Sequence, residues 1–337
     1  MLKKLKLLFS LLLVTGIVSS QQVSLHYFIN PKDSLCGVKD SNGNIIIPAK
    51  YNLLNINDEE AAITDSIIIF YANNLKGNPT SASYGDAFNR LGKFLYHPMV
   101  YDNGPDYFSE SYARCVNNGK VGFVNLLGEV VIKPQWDWVS PFNYGYALAC
   151  NDCVWDKQKD PEHPPLVFKN PKEVFYINAS GNIVQPVKHA TLDKDQPLED
   201  GNHLPYPFTY TVKEQALVDS MNNMEIISKV HFVNYADVKT AGKEGKIQFE
   251  IIQRPSMQLP FYILQGYRYN NMYYNEDRLI FYYTTDGQLL HYDLFEKKQT
   301  PYNEWLKEAL LSSEAYLKNH PDAPNKFNVQ AYLKEIN

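Results

Sequence analysis

One phrase recurs four times along this chain and restricts its fold more than any other feature. Asp40-Ser-Asn-Gly43 precedes Asn44-Ile-Ile-Ile-Pro48, and Asn89-Arg-Leu-Gly92 precedes Lys93-Phe-Leu-Tyr-His-Pro98. Asn125-Leu-Leu-Gly128 precedes Glu129-Val-Val-Ile-Lys-Pro134, and Asn178-Ala-Ser-Gly181 precedes Asn182-Ile-Val-Gln-Pro186. Asp or Asn at the first position bonds its own backbone two residues on, and Gly supplies the positive φ that a type I turn followed by a bulge requires. The β-branched run makes the returning strand. Proline carries no backbone donor, so it ends that strand or lies at an edge. One such turn is a weak signal. Four, each with Pro five or six residues after its Gly, predict an array of β-hairpins.

A second phrase follows the proline in the first three copies. An aromatic residue with a polar neighbour appears at Tyr51-Asn52, Tyr101-Asp102 and Trp136-Asp137. Phe108-x-x-x-Tyr112-Ala113 and Phe142-x-x-x-Tyr146-Ala147 come next at identical spacing, with a degraded form around Ile56 and Ala61-Ala62. Each unit therefore holds about three short strands. The turn glycines are 49, 36 and 53 residues apart, so the 36-residue gap is the bare unit. The longer gaps carry polar insertions at Asn73–Ser83 and Asp156–Lys172, and insertions in repeat proteins fall in loops on one face, often the binding face.

Taken together, Gly122-Phe123-x-Asn125-x-x-Gly128-x-x-x-Ile132-x-Pro134-x-Trp136-Asp137, closing on Phe142-x-x-Gly145-x-Ala147, resembles the bacterial WG (KWG) repeat. The resemblance runs over roughly residues 35–190 and is clearest in the third and first copies. The naming Trp-Gly pair is Cys36-Gly37 and Val121-Gly122 there, and Gly85-Asp86 and Val174-Phe175 in the second and fourth, so these are diverged repeats. The resemblance implies a β-rich repeat scaffold with a binding role. It supplies no catalytic residues.

The expected fold class is mainly β: an array of antiparallel hairpins or three-stranded repeats, open or propeller-like, ending in one or two helices. Residues 1–20 read as a signal peptide, 21–204 as the repeat region and 205–337 as an aromatic-rich β region. The signal reading rests on Lys3, Lys4 and Lys6 before the apolar run Leu7–Val18 and the small residues Ser19 and Ser20. That apolar run is shorter than the roughly 20 residues of a membrane span. We therefore expect an exported chain, periplasmic or at the cell surface, with no span in its mature part. Losing three lysines would take the net charge from −5 to −8. An acidic balance without clustered Lys or Arg disfavours nucleic acid as a partner.

In the C-terminal part, Lys213–Asn223 leaves helix and strand open, and Lys246–Ile252 alternates as a half-buried strand. Leu279–Tyr292 reads as a hairpin turning at Asp286-Gly287, a worn fifth repeat. Thr300-Pro301 reads as an N-cap and first turn, leading into a helix whose apolar positions run from Tyr302 to Leu317, and a second helix covers Asn328–Ile336.

Among functional candidates, Cys150-Asn-Asp-Cys153 has the C-x-x-C form. No second ligand pair lies at zinc spacing and no helix start follows, so a structural disulfide or buried thiols are expected over redox or metal use. His163 and the acids Asp156, Asp160 and Glu162 read as a surface loop. No nucleophile elbow, P-loop or dinucleotide fingerprint occurs, and no catalytic residue, metal or cofactor is assigned. Trp136, Phe142 and Tyr146 recur and are read as packing between repeats. Trp138, Tyr144 and Trp155 do not recur, lie beside the second insertion, and are the candidates for an exposed ligand-binding patch. The leading reading is a non-catalytic scaffold that binds a protein or glycan in the cell envelope. Its competitors are a hydrolase using carboxylates such as Asp137, Asp152 and Glu173, and a purely structural envelope protein.

Overall fold

The computed structural model describes residues 23–52, 61–71, 83–101, 104–156, 158–160, 165–236, 238, 242–269 and 273–336. The signal segment, Ile56, the first insertion up to Ala82 and His163 lie outside them. The chain forms two compact units, one of residues 1–66 with Arg90–Gly92, the other of residues 67–89 and 93–337. No helix among the described residues is long and apolar enough to cross a membrane.

The first unit holds one antiparallel sheet, β1 (Leu25–Ile29), β2 (Cys36–Asp40) and β3 (Ile45–Tyr51), in that order. The Asp40 turn closes β2 onto β3. Gly43 has φ +86°, its amide donates to Asp40 O at 3.0 Å, and Asp40 Oδ1 accepts from Asn42 and Asn44 amides at 2.9 and 2.8 Å. The side chain thus replaces two backbone acceptors that a free turn would lack, as the sequence predicts.

The second unit repeats this arrangement. β4 (Ile67–Tyr71), β5 (Gly85–Asn89) and β6 (Phe94–Tyr96) make one three-stranded sheet, and β7 (Val100–Tyr101) pairs with β8 (Gly104–Pro105). β9 (Tyr112–Asn117), β10 (Lys120–Asn125) and β11 (Val130–Trp136) make the next sheet, with β10 central. β12 (Trp138–Val139), β13 (Tyr146–Cys150), β16 (Val174–Asn178) and β17 (Ile183–Val184) form a four-stranded one, from which β14 (Cys153–Trp155) and β15 (Leu166–Phe168) branch as a hairpin. Asn125 and Asn178 close their turns as Asp40 does, and Gly128 and Gly181 have φ +75° and +76°. The Tyr-Ala strand that ends one sequence repeat is the first strand of the following sheet, since β9 pairs with β10 and β13 with β16.

The glycine of the naming pair has a steric reason. The pairing of β10 with β11 slips at a bulge on each side of Phe123. A Cβ on Gly122 would sit 2.3 Å from Ile132 O and 2.5 Å from Pro134 N, and one on Gly37 would sit 2.4 Å from Ile47 O. The bulged strand crosses where a side chain would stand, so only Gly fits. The fourth repeat pairs only Tyr176 with Val184 and Ile177 with Ile183, without a bulge, and accepts Phe175. In the second, Asp86 takes the glycine's place and its Oδ1 meets His97 Nδ1 at 3.0 Å.

Trp136, Phe142 and Tyr146 are buried, and Phe142 packs 4.6 Å from Phe123 and 4.9 Å from Tyr112. The recurring aromatics are core between neighbouring repeats. Each buried ring contributes on the order of 2–3 kcal/mol by apolar burial.

Past β18 (Gln196–Pro197) and β19 (His203–Leu204), the chain makes α1 (Val212–Asn222) and α2 (Glu225–Phe232). Helix wins over strand at 212–222 because Thr211 and Glu214 cap each other reciprocally. Five strands then meander in order, β20 (Ile247–Gln253), β21 (Phe261–Tyr269), β22 (Tyr273–Thr284), β23 (Leu289–Asp293) and β24 (Lys298–Pro301). Two sequence expectations need correction here. The β22–β23 turn is Thr284-x-x-Gly287, with Gly287 N donating to Thr284 O at 3.0 Å and Gln288 N to Thr284 Oγ1 at 2.9 Å. It is the four-residue repeat turn with Thr in the Asp/Asn role, rather than a two-residue Asp-Gly turn. Thr300 is not a helix cap: it pairs with His291 in β24, and α3 (Tyr302–Asn319) starts after Pro301. α4 (Val329–Ile336) closes the chain against α3.

Candidate functional site

The Phe-x-x-x-Tyr-Ala phrases are tight turns. Ser109 and Tyr112 exchange backbone bonds at 2.9 and 3.0 Å, and Asn143 and Tyr146 do so at 2.8 and 3.2 Å. Their central residues all have positive φ: Glu110 +51°, Ser111 +69°, Tyr144 +51° and Gly145 +76°. Two successive left-handed residues define a type I′ turn, whose twist suits paired strands. Three of the four are not Gly, and each such residue carries a backbone cost of order 1 kcal/mol. Something must hold them there.

Glu110 does so. Its carboxylate, wholly buried, accepts from the Tyr144 amide, from Gly145 N at 2.8 Å and from Tyr267 Oη at 2.5 Å. One repeat's turn therefore grips the backbone of the next turn and a tyrosine of β21. Burial pushes Glu110 up to about 7, against the lowering effect of the Tyr267 hydroxyl and the Gly145 and Tyr144 amides. Ser109 Oγ donates to Phe142 O at 2.7 Å, and Asn143 bonds Tyr273 O at 2.7 Å and Asn275 N at 2.8 Å. With Asn275 Nδ2 donating to Ser109 Oγ at 3.2 Å, these bonds fasten β22 to both turns.

Tyr144, expected in an exposed patch, is fully buried instead. It stacks on Tyr273 at 4.3 Å and meets Phe208 and Tyr267 edge-on at 5.5 and 5.2 Å. Its phenol, raised chiefly by burial, donates to Lys194 O at 3.2 Å. The side chain is non-recurrent because it anchors the C-terminal strands to the third repeat, a contact made with residues more than sixty positions away.

Trp138 and Trp155 do come together. Their rings lie 6.5 Å apart at 85°, Trp138 half-buried against the repeat core and Trp155 49% exposed. Cys150 and Cys153 are joined as a disulfide at the root of the β14–β15 hairpin, whereas Cys36 and Cys115 are buried thiols. Asp137 braces the same corner. Its Oδ2 accepts from Asp152 N and its Oδ1 from Lys120 Nζ, both at 2.7 Å, and the Lys120 contact holds its carboxyl below the usual range. Val154 and Val167 face one side of the hairpin, Trp155 and Phe168 the other, and all four are exposed.

A second concavity was not visible in the sequence. A cavity of about 530 Å³ opens beside the tyrosine cluster, with Tyr269 and Tyr273 in its wall and lysines from four separate segments around it. Those lysines are spread from 194 to 326, so no local run announces them. Among the described residues no group of three or more His, Cys, Asp or Glu is placed to hold a metal.

Small antiparallel sheets, closed by Asx-anchored turns with a forced glycine opposite a bulge, define the class: an antiparallel β-repeat protein. The particular family follows from residues 37–62 and 122–155, which match the WG containing repeat. The chain therefore contains WG repeats at these two segments, which are its first and third copies. No curated protein and no solved structure matches it.

Proposed function

We propose that this chain is a non-catalytic, exported repeat scaffold that binds a protein or glycan in the cell envelope through the β14–β15 hairpin. The observation that carries the reading is that the hairpin exposes apolar side chains on both faces, Val154 and Val167 on one and Trp155 and Phe168 on the other. A two-stranded ribbon is marginal alone and gains by being covered, and apolar surface of this kind marks interaction sites. Exposure on two faces favours a protein groove over a flat sugar platform. Export rests on the basic and apolar segment at residues 1–20. The hydrolase reading is weakened because Asp137 is committed to Lys120 and to the Asp152 backbone.

The test compares wild type with Trp155→Ala for retention of partners from envelope extract and on a glycan array. Trp155 is half in solvent, so its loss leaves the core intact, and retention is expected to fall with no change in the unfolding midpoint. Trp138→Ala serves as a second probe, with some loss of stability because Trp138 packs on the core. Undiminished retention by both variants would sink the proposal.

A further inference from the structure

We infer that the cavity beside the tyrosine cluster is a second binding site, independent of the hairpin, for a small molecule bearing at least two phosphate or carboxylate groups. Among the described residues, Lys194, Lys229, Lys243, Lys246 and Lys326 line it, against two carboxylates, Asp193 and Glu225. That is a local excess of positive charge in a chain whose net charge is −5. Clustered ammonium groups repel one another, and an anion seated among them relieves this.

The disposition of the lysines shows which are available. Lys194 is held from behind: Glu250, fully buried, accepts from Lys194 Nζ at 3.2 Å, Tyr206 Oη at 2.6 Å, Tyr210 Oη at 2.5 Å and Gln248 Nε2 at 3.0 Å. Lys229 bonds Tyr332 Oη at 2.6 Å and lies 3.7 Å from the exposed carboxylate of Glu225. Lys243 sits 5.5 Å from the centre of the Tyr269 ring, and Lys326 Nζ donates to Pro321 O at 3.4 Å. Among the described residues, Lys243, Lys246 and Lys326 have no carboxylate within ion-pair distance.

The neutral polar groups decide the ligand class. Asn222 is spent on both backbone atoms of Phe249, and Asn325 Nδ2 on Phe232 O, Tyr235 O and Val238 O. Gln248 Nε2 donates to Glu250 and Ser228 Oγ accepts Ile247 N. With these four committed, Asn223 and the phenols of Tyr269 and Tyr273 are the neutral polar groups left in the wall, and they are outweighed by the five lysines, which read anionic oxygens rather than sugar hydroxyls. The volume of about 530 Å³ suits a molecule of disaccharide or nucleotide size.

Titration calorimetry of the full mature chain at low salt with pyrophosphate, citrate, trigalacturonate and the neutral maltotriose tests this. At least one of the three anions is expected to bind, maltotriose is not, and raising salt weakens binding. Pyrophosphate against the two carboxylate probes tells which oxyanion is preferred. Lys243 and Lys246 are exposed, so the double variant Lys243→Ala/Lys246→Ala should fold normally and lose affinity about tenfold or more. Absence of binding by all three anions, equal binding of maltotriose, or unchanged affinity in a folded double variant would overturn the inference. Trp155→Ala should leave this binding untouched, which separates it from the hairpin reading.

Discussion

Replacing Glu110 by Gln should change how stability depends on pH, and the direction follows from burial. The carboxyl is free to ionise near 4.5 in the unfolded chain and is pushed up to about 7 when folded. Between those values the folded state holds a proton that the unfolded state has lost, so stability falls as pH rises through the window. At about 1.4 kcal/mol per unit, the loss from pH 4.5 to 7 is about 3 kcal/mol. Gln cannot titrate. Its amide nitrogen, unlike the hydroxyl oxygen of the neutral acid, carries a second hydrogen and cannot accept, so at least one of the three donors that Glu110 satisfies is left unpaired, at a cost of about 1–3 kcal/mol at every pH. At pH 5 the wild type is therefore the more stable protein. By pH 8 the gap should have narrowed by about 3 kcal/mol and closed or reversed. The lowered carboxyls of Asp137, Asp195 and Glu214 slope the other way, but they are common to both proteins and cancel in the difference. Urea unfolding at pH 5, 6, 7 and 8, followed by tryptophan fluorescence, supplies the midpoints and slopes. Parallel profiles, or a gap that widens with pH, would refute the reasoning. They would mean that the Tyr144 and Gly145 amides and the Tyr267 hydroxyl outweigh desolvation and keep Glu110 charged throughout.

Two further outcomes are expected beside those for Trp155 and for the lysine pair. Gly122→Ala should lower stability by about 2 kcal/mol or more, because its Cβ would lie 2.3 Å from Ile132 O across a bulge that cannot retreat, and thermal melting measures it. His97 is raised by its hydrogen bond to Asp86, so its contribution is full below its unfolded value and fades as pH climbs through the folded one. His97→Asn should accordingly destabilise more at pH 5.5 than at pH 8.5 in paired denaturant titrations, with the His97 ring protons in NMR reporting the shifted titration directly.

What the sequence made legible was local. Asp40, Asn125 and Asn178 bond amides within four positions of themselves, so residue type and spacing suffice to place their turns. The same rule hides Thr284, because a hydroxyl doing the work of an amide or carboxylate at the first position looks like an ordinary strand residue beside the more conspicuous Asp286-Gly287. Thr300-Pro301 misleads for a related reason: its cap-like chemistry is overridden by pairing with β23. Tyr144 was misplaced because its burial depends on Tyr206, Phe208, Tyr267 and Tyr273, which no window around residue 144 contains. The lysine cavity is the extreme case. It gathers segments around 194, 229, 245 and 326, each unremarkable alone, and only the folded chain sums their charge.

The offset between sequence repeat and sheet has a practical consequence for cutting or shuffling this chain. Tyr112–Asn117 closes one repeat in the sequence yet hydrogen-bonds along its whole length to Lys120–Asn125 of the next. A fragment trimmed at the written repeat border would leave the following sheet with an unpaired edge and a template for aggregation. A duplication or graft that begins at Phe108 or Phe142 carries the strand with the sheet it serves. The heritable module is therefore out of phase with the motif that names it, by one strand and the tight turn that leads into it.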